Sequence, residues 1–574
     1  MALLPSLIFH SAETKNYWQL SDGESQALRK FLRKVSRQVP VELKIMKKII
    51  LSALLSGVVF SATTSSLFSQ TVEKVADLSF YLGSIDFEGH GGYAPLDGFT
   101  QVGTNLWFTT SKGGYYDLGT ISRFDLTTHQ VVEVASLNSA STGSRPESPL
   151  LVIGEEAYFT TQSTGVSNKG TIAKINLTSG VITPLFAFPF NGLATGTTPR
   201  GGLTLIGNDL WTTTSLGGSA GRGVVLKYNL TSGSATLVTN LDGPLLGGQA
   251  FDGFSSFPQS GNAWYYTTFT GGSTFNTTNY PILTFSDNST AILTNKLPLG
   301  AGTLGRLTFD GLGNPVFTVL KSVPGGSEEF PAIAPTLVGT NSLYFSSTGP
   351  NSLPGAILRY DLSTGYFTNL FSFSTNPIPQ ALYGTRPGYC TFTEWQGELY
   401  FLNRNGGTNA TGPNSGGGTV AKFNIASNTV IKLADLGDPV PANNIGSFSG
   451  GVSARGCIVQ ETNRFYIYYP LVSGGINSTT NATGGLGTII RVLLPPPPIQ
   501  ASVAVTGSAT NTLLSWSGGY PPFDVLTNGD FSTASTNWAA AITNITADVN
   551  TTNWSVTLPV AGASTFYRVR GQAR

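Results

Sequence analysis

The chain has 574 residues, of which 40% are hydrophobic, 11% are aromatic and only 11% are charged. The charged fraction is less than half of the roughly 25% that is typical of globular proteins. A disordered chain combines low hydrophobicity with high net charge, and the 40% hydrophobic content excludes that class. Of the 32 Lys and Arg and the 31 Asp and Glu, residues 1–48 hold nine and four, so the remaining 526 residues carry a net charge of −4. Because binding to a phosphate backbone requires clustered positive charge, no nucleic-acid partner is expected.

An export signal is predicted to begin at Met46. Two lysines follow this methionine, then twelve largely apolar residues (Ile49–Phe60) and a stretch of small residues. These are the three parts of a secretory signal, and twelve residues are too few to span a bilayer. We expect 1–45 to be a non-native upstream extension and 46–70 a bacterial signal peptide. The mature protein is then secreted or at the cell surface without a membrane span; a type II anchor with a cytoplasmic tail is the alternative.

A tandem repeat occupies the following region, and its first signature is a strand of aromatic and β-branched residues that closes on Thr or Ser. Several copies are followed by a diglycine such as Gly113-Gly114. The copies are Leu106–Thr110, Ala157–Thr161, Leu210–Thr214, Trp264–Thr268 and Leu343–Ser347, with weaker ones at Leu399–Leu402 and Phe465–Tyr469.

The second signature is a glycine, usually followed by Thr, that opens a strand of roughly alternating apolar and polar residues, which is typical of a half-buried strand. The copies are Gly119–Leu126, Gly170–Leu177, Gly223–Leu230, Gly355–Leu362 and Gly418–Ile425, with a shortened one at Gly487–Val492. Consecutive copies start 51, 53, 63 and 69 residues apart. With one strand before and one after these two, each unit contains four antiparallel strands, and no helical pattern separates the units.

Four-stranded units of this length, repeated around a circle, form a β-propeller. The predicted fold class is therefore all-β, with a propeller of seven or eight blades at 71–494. Eight blades are favoured, because Pro315–Thr318 is counted as a degenerate aromatic strand. The Gly-Thr strand is missing from residues 270–340, so the count of seven or eight stays open at this point. The last unit lacks a fourth strand, so a strand near Val75–Phe80 is expected to pair with Thr488–Leu494 and close the ring.

The combination of both signatures with the motif [Phe/Tyr]-[Asp/Asn]-Leu-[Ser/Thr]-[Ser/Thr]-Gly resembles the bacterial GloVer tandem repeat of choice-of-anchor proteins. The resemblance covers about residues 96–492, and the units are more loosely similar to Kelch blades. It implies an exported, propeller-like repeat protein and assigns no activity to it.

A second domain is predicted after the propeller. The run 495–498 consists of four prolines and forms a stiff linker. In 499–574, Leu514–Trp516 and Thr565–Arg570 resemble the core and closing strands of a small fibronectin-III-like β-sandwich. The segment Leu526–Phe531 resembles the start of some carbohydrate-binding modules.

Residues with catalytic or metal-binding chemistry are scarce. The three histidines, His10, His90 and His129, are too few for a multi-histidine metal site, so neither a metal nor a cofactor is expected. The two cysteines, Cys390 and Cys457, occupy matching positions of adjacent repeats and could pair as a disulfide in an oxidising compartment.

Arginine recurs just before or within the predicted first strand of several units. If first strands line the central channel, these guanidinium groups converge at one mouth, where their planar geometry suits a carboxylate or sulfate ligand. The alternative is that each one packs on a neighbouring loop and bonds backbone carbonyls. The residues are Arg145, Arg200, Arg306, Arg386 and Arg455.

These features favour a secreted or cell-surface, non-catalytic binding or structural repeat protein whose ligand is an acidic glycan or a protein. The alternative is an extracellular polysaccharide hydrolase or lyase on a propeller scaffold. Carboxylates that converge in the central pocket would indicate the enzyme, whereas arginines and aromatics without an acid pair would indicate the binding protein. The sequence leaves the oligomeric state open.

Overall fold

The computed structural model describes most of the chain beyond the predicted signal. It describes residues 70–571 except 79–91, 139, 193, 243–245, 251–254, 257–262, 273–282, 285–289, 292–299, 326–327, 332, 350–353, 375–376, 408–415, 438–445, 449–453, 462–463, 474–485, 498, 507–510, 519–522, 529–538, 546–552 and 560–565. The predicted extension (1–45), the signal peptide up to residue 69, His10 and His90 lie outside the described residues. Within the described ranges, no helix is long and apolar enough to cross a membrane.

Seven four-stranded antiparallel sheets follow one another along the chain as the blades of a propeller. Up to the third blade the strands are β1 (Val72–Asp77), β2 (Gly92–Tyr93), β3 (Thr100–Val102), β4 (Asn105–Thr110), β5 (Lys112–Gly113), β6 (Thr120–Asp125), β7 (Val131–Ser136), β8 (Leu151–Ile153), β9 (Glu156–Thr161), β10 (Thr171–Asn176), β11 (Ile182–Ala187), β12 (Thr197–Pro199), β13 (Thr204–Ile206), β14 (Asp209–Leu216), β15 (Val224–Asn229) and β16 (Ala235–Asn240).

The next nineteen strands include the strands of the remaining blades and two separate two-stranded sheets, β19-β20 and β27-β32. These are β17 (Ser255–Ser256), β18 (Trp264–Thr268), β19 (Leu283–Thr284), β20 (Thr290–Ala291), β21 (Thr303–Phe309), β22 (Pro315–Ser322), β23 (Thr336–Val338), β24 (Ser342–Ser347), β25 (Ala356–Asp361), β26 (Phe367–Ser372), β27 (Cys390–Thr391), β28 (Thr393–Trp395), β29 (Glu398–Asn403), β30 (Thr419–Asn424), β31 (Thr429–Asp435), β32 (Ala454–Arg455), β33 (Cys457–Glu461), β34 (Arg464–Leu471) and β35 (Thr488–Leu493).

Each blade takes its four strands in chain order, apart from the last. The blades are β3-β4-β6-β7, β8-β9-β10-β11, β13-β14-β15-β16, β17-β18-β21-β22, β23-β24-β25-β26, β28-β29-β30-β31 and β33-β34-β35-β1. The seventh blade therefore takes its fourth strand from the beginning of the described chain. Val72 pairs with Val492 and Asp77 with Thr488 in antiparallel register, which confirms the predicted closure.

The prediction of eight blades is wrong, because blade 4 contains both segments that suggested an extra unit. Its third strand, β21, follows Gly302 and pairs with β18, so the Gly-Thr strand is present. Pro315–Thr318 belongs to β22, the fourth strand of the same blade. The second and third strands of this blade are separated by an insertion: the paired hydroxyls of Thr268 and Thr303 are 35 residues apart, whereas those of Thr110 and Thr120 in blade 1 are 10 apart.

The second strands are continuous apolar runs because neighbouring blades cover both of their faces. Leu106 and Phe108 join the cluster shared with blade 7, while Trp107 between them joins the cluster shared with blade 2. Every pair of neighbouring blades shares such an apolar cluster. The hydrophobic core is therefore a ring of interfaces between blades.

The Thr or Ser pair that ends the second strand serves two different contacts. The first hydroxyl donates to a backbone carbonyl of the next blade, and the second pairs at 2.8 Å with the Thr that opens the third strand in blades 1, 2 and 4. The contacts between blades are Thr109 to Pro146, Thr160 to Gly201, Thr213 to Ala250, Thr267 to Ile333 and Ser346 to Pro387. The sequence signature therefore encodes both the blade and its contact with the next blade.

The glycine that precedes each third strand is required by its backbone conformation and surroundings. Its φ lies between 84° and 109° in all seven blades, and an added Cβ would lie 1.9–2.4 Å from a carbonyl oxygen at the end of the second strand. Its own carbonyl accepts a hydrogen bond from the segment after the fourth strand, as from Leu137 to Gly119 in blade 1. In blade 7 the donor is Leu78, which follows β1, so the closing strand reproduces this contact.

Blade 6 is preceded by a short helix that the sequence pattern did not predict. Helix α1 (Pro377–Tyr383) is followed by a 3-10 turn at Pro387–Tyr389. Lys432 Nζ donates to the Ala381 carbonyl at 2.8 Å, so a cation lies near the C-terminal end of the helix, where it is favourable.

The residues after the proline run form two three-stranded antiparallel sheets with one shared apolar cluster. The strands are β36 (Gln500–Thr506), β37 (Asn511–Ser517), β38 (Phe523–Asn528), β39 (Ala539–Ile545), β40 (Asn553–Pro559) and β41 (Phe566–Gly571). Trp516 and Phe523, from different sheets, pack edge to face with ring centroids 5.6 Å apart. The fibronectin-III-like and carbohydrate-binding resemblances stay predictions.

Candidate functional site on the upper face of the propeller

The chain enters each blade on one face of the propeller, which we call the upper face and define as the face at which the second strands end. The segment that leads into the first strand begins there with an entry residue in the left-handed conformation, with φ of 55–63°. The backbone N–H of this entry residue donates to a backbone carbonyl of the preceding blade, that of the residue just before the third-strand glycine. Arg145, for example, donates to the Leu118 carbonyl at 2.9 Å. The entry residues of blades 1 to 6 are Ala94, Arg145, Thr198, Gln249, Phe330 and Arg386.

Two of the predicted arginines meet at one buried carboxylate. Arg145 is the entry residue of blade 2, and its Nη2 lies 3.2 Å from Glu147 Oε1. Arg200 lies two residues after the entry residue of blade 3, and its Nε lies 3.8 Å from Glu147 Oε2. Since the side chain of Glu147 is only 4% exposed, this acid partly compensates both cations within the upper face.

A second pair of arginines lies beside a tyrosine at blade 6. The Arg404 N–H donates to the Arg386 carbonyl, and the Arg404 guanidinium carbon lies 4.6 Å from the ring centroid of Tyr389. Burial lowers the pKa of Arg386, Tyr389 raises it and the neighbouring Arg404 lowers it, so that the pKa lies below its ordinary value. Two cations are therefore held close together where burial weakens their hydration.

Two arginines on this face were not among the predicted site residues. Arg404 directly follows the second strand of blade 6, and Arg222 directly precedes the third-strand glycine of blade 3. Arg222 is 8% exposed, and burial lowers its pKa. These residues occupy different positions of the repeat from Arg145, so a search for recurrence at one position could not find them.

Arg306 lies elsewhere than expected, whereas Arg455 lies just before the first strand of blade 7, as the sequence predicts. Arg306 is on β21, the third strand of blade 4, opposite Tyr265 of the second strand, and so does not precede a first strand. The prediction failed because β21 was not recognised as the Gly-Thr strand. Arg455 lies on β32, which pairs in parallel with β27 through Thr391. A Cβ on Gly98 of blade 1 would lie 2.2 Å from the Arg455 carbonyl oxygen, so the backbone of Arg455 lies where blades 6, 7 and 1 meet.

Both cysteines are free thiols, so the disulfide considered from the sequence is not formed. Cys390 is fully buried, and its Sγ accepts a hydrogen bond from the Leu402 N–H at 3.2 Å. Burial raises the pKa of Cys457 to about 11. Cys390 lies on β27, which pairs with β32 at Ala454, whereas Cys457 lies on β33, a strand that pairs with β34.

Histidine and acidic residues form no metal-binding cluster in the part of the chain that the structure describes. His129 lies in a turn with φ of 57° and stacks on Phe124 with ring centroids 5.7 Å apart. Glu147 is engaged by two arginines. Two further buried acids, Asp97 and Glu329, are close in sequence to the entry residues Ala94 and Phe330, so the described upper face carries both arginines and buried carboxylates.

Residues 56–280 match the family model described as the Gloeobacter/Verrucomicrobia repeat. This segment carries that repeat, and the match together with the propeller fold confirms the resemblance to GloVer-repeat propellers. No curated protein matches the chain.

Several solved structures are similar to the chain at low identity. An oligogalacturonate lyase in complex with manganese is 11% identical, with a TM-score of 0.37, over 70% of this chain and 89% of that one. A europium-containing methanol dehydrogenase is 11% identical, with a TM-score of 0.38, over 74% and 95%. A Mycobacterium tuberculosis puromycin-hydrolyzing peptidase is 12% identical, with a TM-score of 0.38, over 79% of this chain and 62% of that one. Likeness at this level carries no information about what this chain binds.

Proposed function

We propose that the propeller is an exported, non-catalytic binding protein that holds an acidic glycan on its upper face. The observation that carries this proposal is the arginine pair at blade 6, in which Arg404 stacks on Tyr389 and lies close enough to Arg386 to lower the pKa of that residue. A guanidinium presents several N–H donors in a plane, which suits the two oxygens of a carboxylate or sulfate.

The electrostatics of the pair favour an anionic ligand. Two like charges held side by side repel each other, and an anion between them relieves that repulsion. Burial, which lowers the pKa of Arg386, also reduces the competition from water for its N–H groups. Since the attraction is electrostatic and the site opens to solvent, binding should weaken as the salt concentration rises.

Export is the second part of the proposal and rests on the segment that begins at Met46. The basic start and apolar core up to Phe60 have the order and length of a secretory signal. N-terminal sequencing of the exported protein should find a start after residue 60. Recovery of a peptide from residues 1–45 in the exported material would contradict this part of the proposal.

The binding experiment uses the mature exported chain with alginate and heparin as acidic probes and dextran as the neutral one. Calorimetry at low and at 300 mM sodium chloride should show binding to at least one acidic polymer, weaker binding at high salt and no binding of dextran. The double variant Arg386→Met, Arg404→Met should lose at least tenfold in affinity, since methionine keeps much of the apolar stem and removes the charge.

Arg359→Met is the matched control, because Arg359 lies on the third strand of blade 5 and pairs with Asp361 at 3.2 Å. This variant should bind the acidic polymer as the unaltered protein does. Absence of binding to both acidic polymers, or equal binding by the double variant, overturns the site. A fall in the chain length of the bound polymer during the measurement overturns the non-catalytic role.

A further inference from the structure

A cavity of about 450 Å³ lies between blades 3 and 4 on the lower face, which we define as the face at which the second strands begin. Trp211 of blade 3 and Trp264 of blade 4 line it together with Phe309. The ring of Phe309 is perpendicular to both indoles, with centroid distances of 5.7 Å. The three aromatic side chains are therefore held in fixed orientations by one another.

Both indoles have an unused hydrogen-bond donor. Trp211 is 2% exposed, and neither its Nε1 nor that of Trp264 has an acceptor among the described residues. Both Nε1 atoms are also closed to solvent, so a ligand in the cavity meets the aromatic lining through its carbon surface and not through these donors.

The polar side of the cavity is an ion pair that is already formed. Lys227 Nζ donates to Asp209 Oδ2 at 3.0 Å, and Asn229 Nδ2 donates to Asp209 Oδ1 at 2.6 Å. Because the two charges compensate each other, the cavity favours a neutral ligand over a charged one. Both side chains keep contact with solvent, at 37% exposure for Lys227 and 18% for Asp209.

Leu312 lies in the turn next to the lining residue Gly313 and is 89% exposed. It is held there because Asp310 Oδ1 accepts its N–H at 2.9 Å. One apolar side chain is therefore exposed beside the cavity.

Blade 4 departs from the repeat at the positions that form this cavity. In strand register, Trp264 replaces the fully buried Leu, Ala or Ile found at this position of the second strand in the other six blades. In most other blades the third strand ends at an Asp or Asn. In blade 4 the third strand, β21, continues one residue beyond that position and ends at Phe309. The cavity is consequently a property of the blade 3–blade 4 interface and not of the repeat itself.

We propose that this cavity is a second binding site, independent of the upper face, and that it takes one or two pyranose rings of a neutral glycan. A pyranose has apolar C–H faces that pack on aromatic rings, and Trp264 and Phe309, which are only partly buried, present such rings to the cavity. Its hydroxyls can both donate and accept, which suits the compensated pair Asp209–Lys227. The volume falls within the range of about 300–1,000 Å³ that small-ligand sites occupy.

The test uses the mature exported chain with cellotetraose, maltotetraose and mannotetraose as probes, followed by tryptophan fluorescence and calorimetry. At least one of the three should produce a saturable change in fluorescence. Trp264→Leu, which introduces the residue found at this position in four other blades, should fold and should weaken that binding at least tenfold. The double variant Arg386→Met, Arg404→Met should bind the same tetrasaccharide unchanged, which separates this site from the upper face.

Trp107→Tyr is the matched control, because it also removes one indole and introduces the tyrosine that five other blades carry at this position. It should leave tetrasaccharide binding unchanged. The proposal is overturned if none of the three probes binds, or if Trp264→Leu binds as tightly as the unaltered protein. Tighter binding of a proline-rich peptide than of any probe, lost in Trp264→Leu, would assign the cavity to a protein partner and also overturn it.

Discussion

Replacing the glycine that opens a third strand should destabilise the propeller far more than replacing a turn glycine of the same blade. Gly223 has φ of 94°, and an added Cβ would lie 1.9 Å from the Thr214 carbonyl oxygen. Gly207 has φ of 63°, and an added Cβ would meet nothing within 4 Å. Gly223→Ala and Gly207→Ala therefore both place an alanine in a left-handed backbone conformation. Only Gly223→Ala adds a clash between the new Cβ and a carbonyl oxygen.

The magnitudes follow from these two contributions. The left-handed conformation costs an alanine about 1–2 kcal/mol, and the lower entropy of the unfolded chain returns about 0.4–1 kcal/mol, so Gly207→Ala should lose about 1 kcal/mol. At Gly223 the second and third strands must also separate locally, since real Cβ atoms do not approach a carbonyl oxygen within 3.0 Å. That shift weakens the hydrogen bond from Leu241 to the Gly223 carbonyl, which measures 3.0 Å. We expect a loss of about 3–5 kcal/mol, in the range of severe backbone substitutions.

The assay is urea unfolding of the mature chain, followed by circular dichroism and tryptophan fluorescence at one temperature. Gly207→Ala should shift the midpoint slightly, and Gly223→Ala should shift it several times further at a similar slope. Equal midpoints for the two variants would show that the clash relaxes without cost. In that case the recurrence of this glycine would need an explanation other than steric exclusion.

Three further predictions concern other parts of the propeller. Thr267→Val removes the hydroxyl that donates to the Ile333 carbonyl at 2.6 Å between blades, so urea unfolding should show a loss of about 1–2 kcal/mol, while Thr267→Ser should retain most of the stability. Burial, which raises the pKa of Cys457 to about 11, should keep this thiol unreactive towards a disulfide reagent at pH 8 until urea exposes two thiols per chain; a denatured protein without free thiols would contradict the structure. The pKa of Asp361 is held below its usual value of 3.8 by hydrogen bonds led by that from the Ser363 hydroxyl, so its contribution to stability is present above about pH 4 and is lost as the pH falls further. Asp361→Asn should therefore make the urea midpoint less dependent on pH between 5 and 2, and an unchanged pH dependence would count against this linkage.

The sequence by itself determined the repeating unit and the way in which the ring closes. The glycine before the third strand recurs in all seven blades, and the Thr or Ser pair at the end of the second strand recurs in blades 1 to 5, because the same steric and hydrogen-bonding requirements return at those positions. The last unit lacks a fourth strand, and the segment that begins near Val72 has the matching pattern. Since an unpaired strand edge is unfavourable, this mismatch sufficed to predict the pairing of the two ends.

The number of blades was decided only by strand pairing. The insertion between β18 and β21 removes the regular spacing, and Gly305 interrupts the apolar pattern of β21. This glycine is explained only by its neighbour across the strands, because a Cβ there would lie 2.2 Å from the Tyr266 ring. A pattern read along the chain cannot detect that the small residue and the large ring compensate each other.

The sites depended still more on the tertiary structure. Arg145 and Arg200 share Glu147, and Arg404 stacks on Tyr389. These contacts form because the propeller brings separate segments of the chain together. The cavity between blades 3 and 4 has walls from two repeats and likewise has no linear signature. The periodicity of the sequence shows the requirements that every blade shares. A binding site arises where individual blades differ. The effect of each difference depends on the residues that the closed ring places beside it.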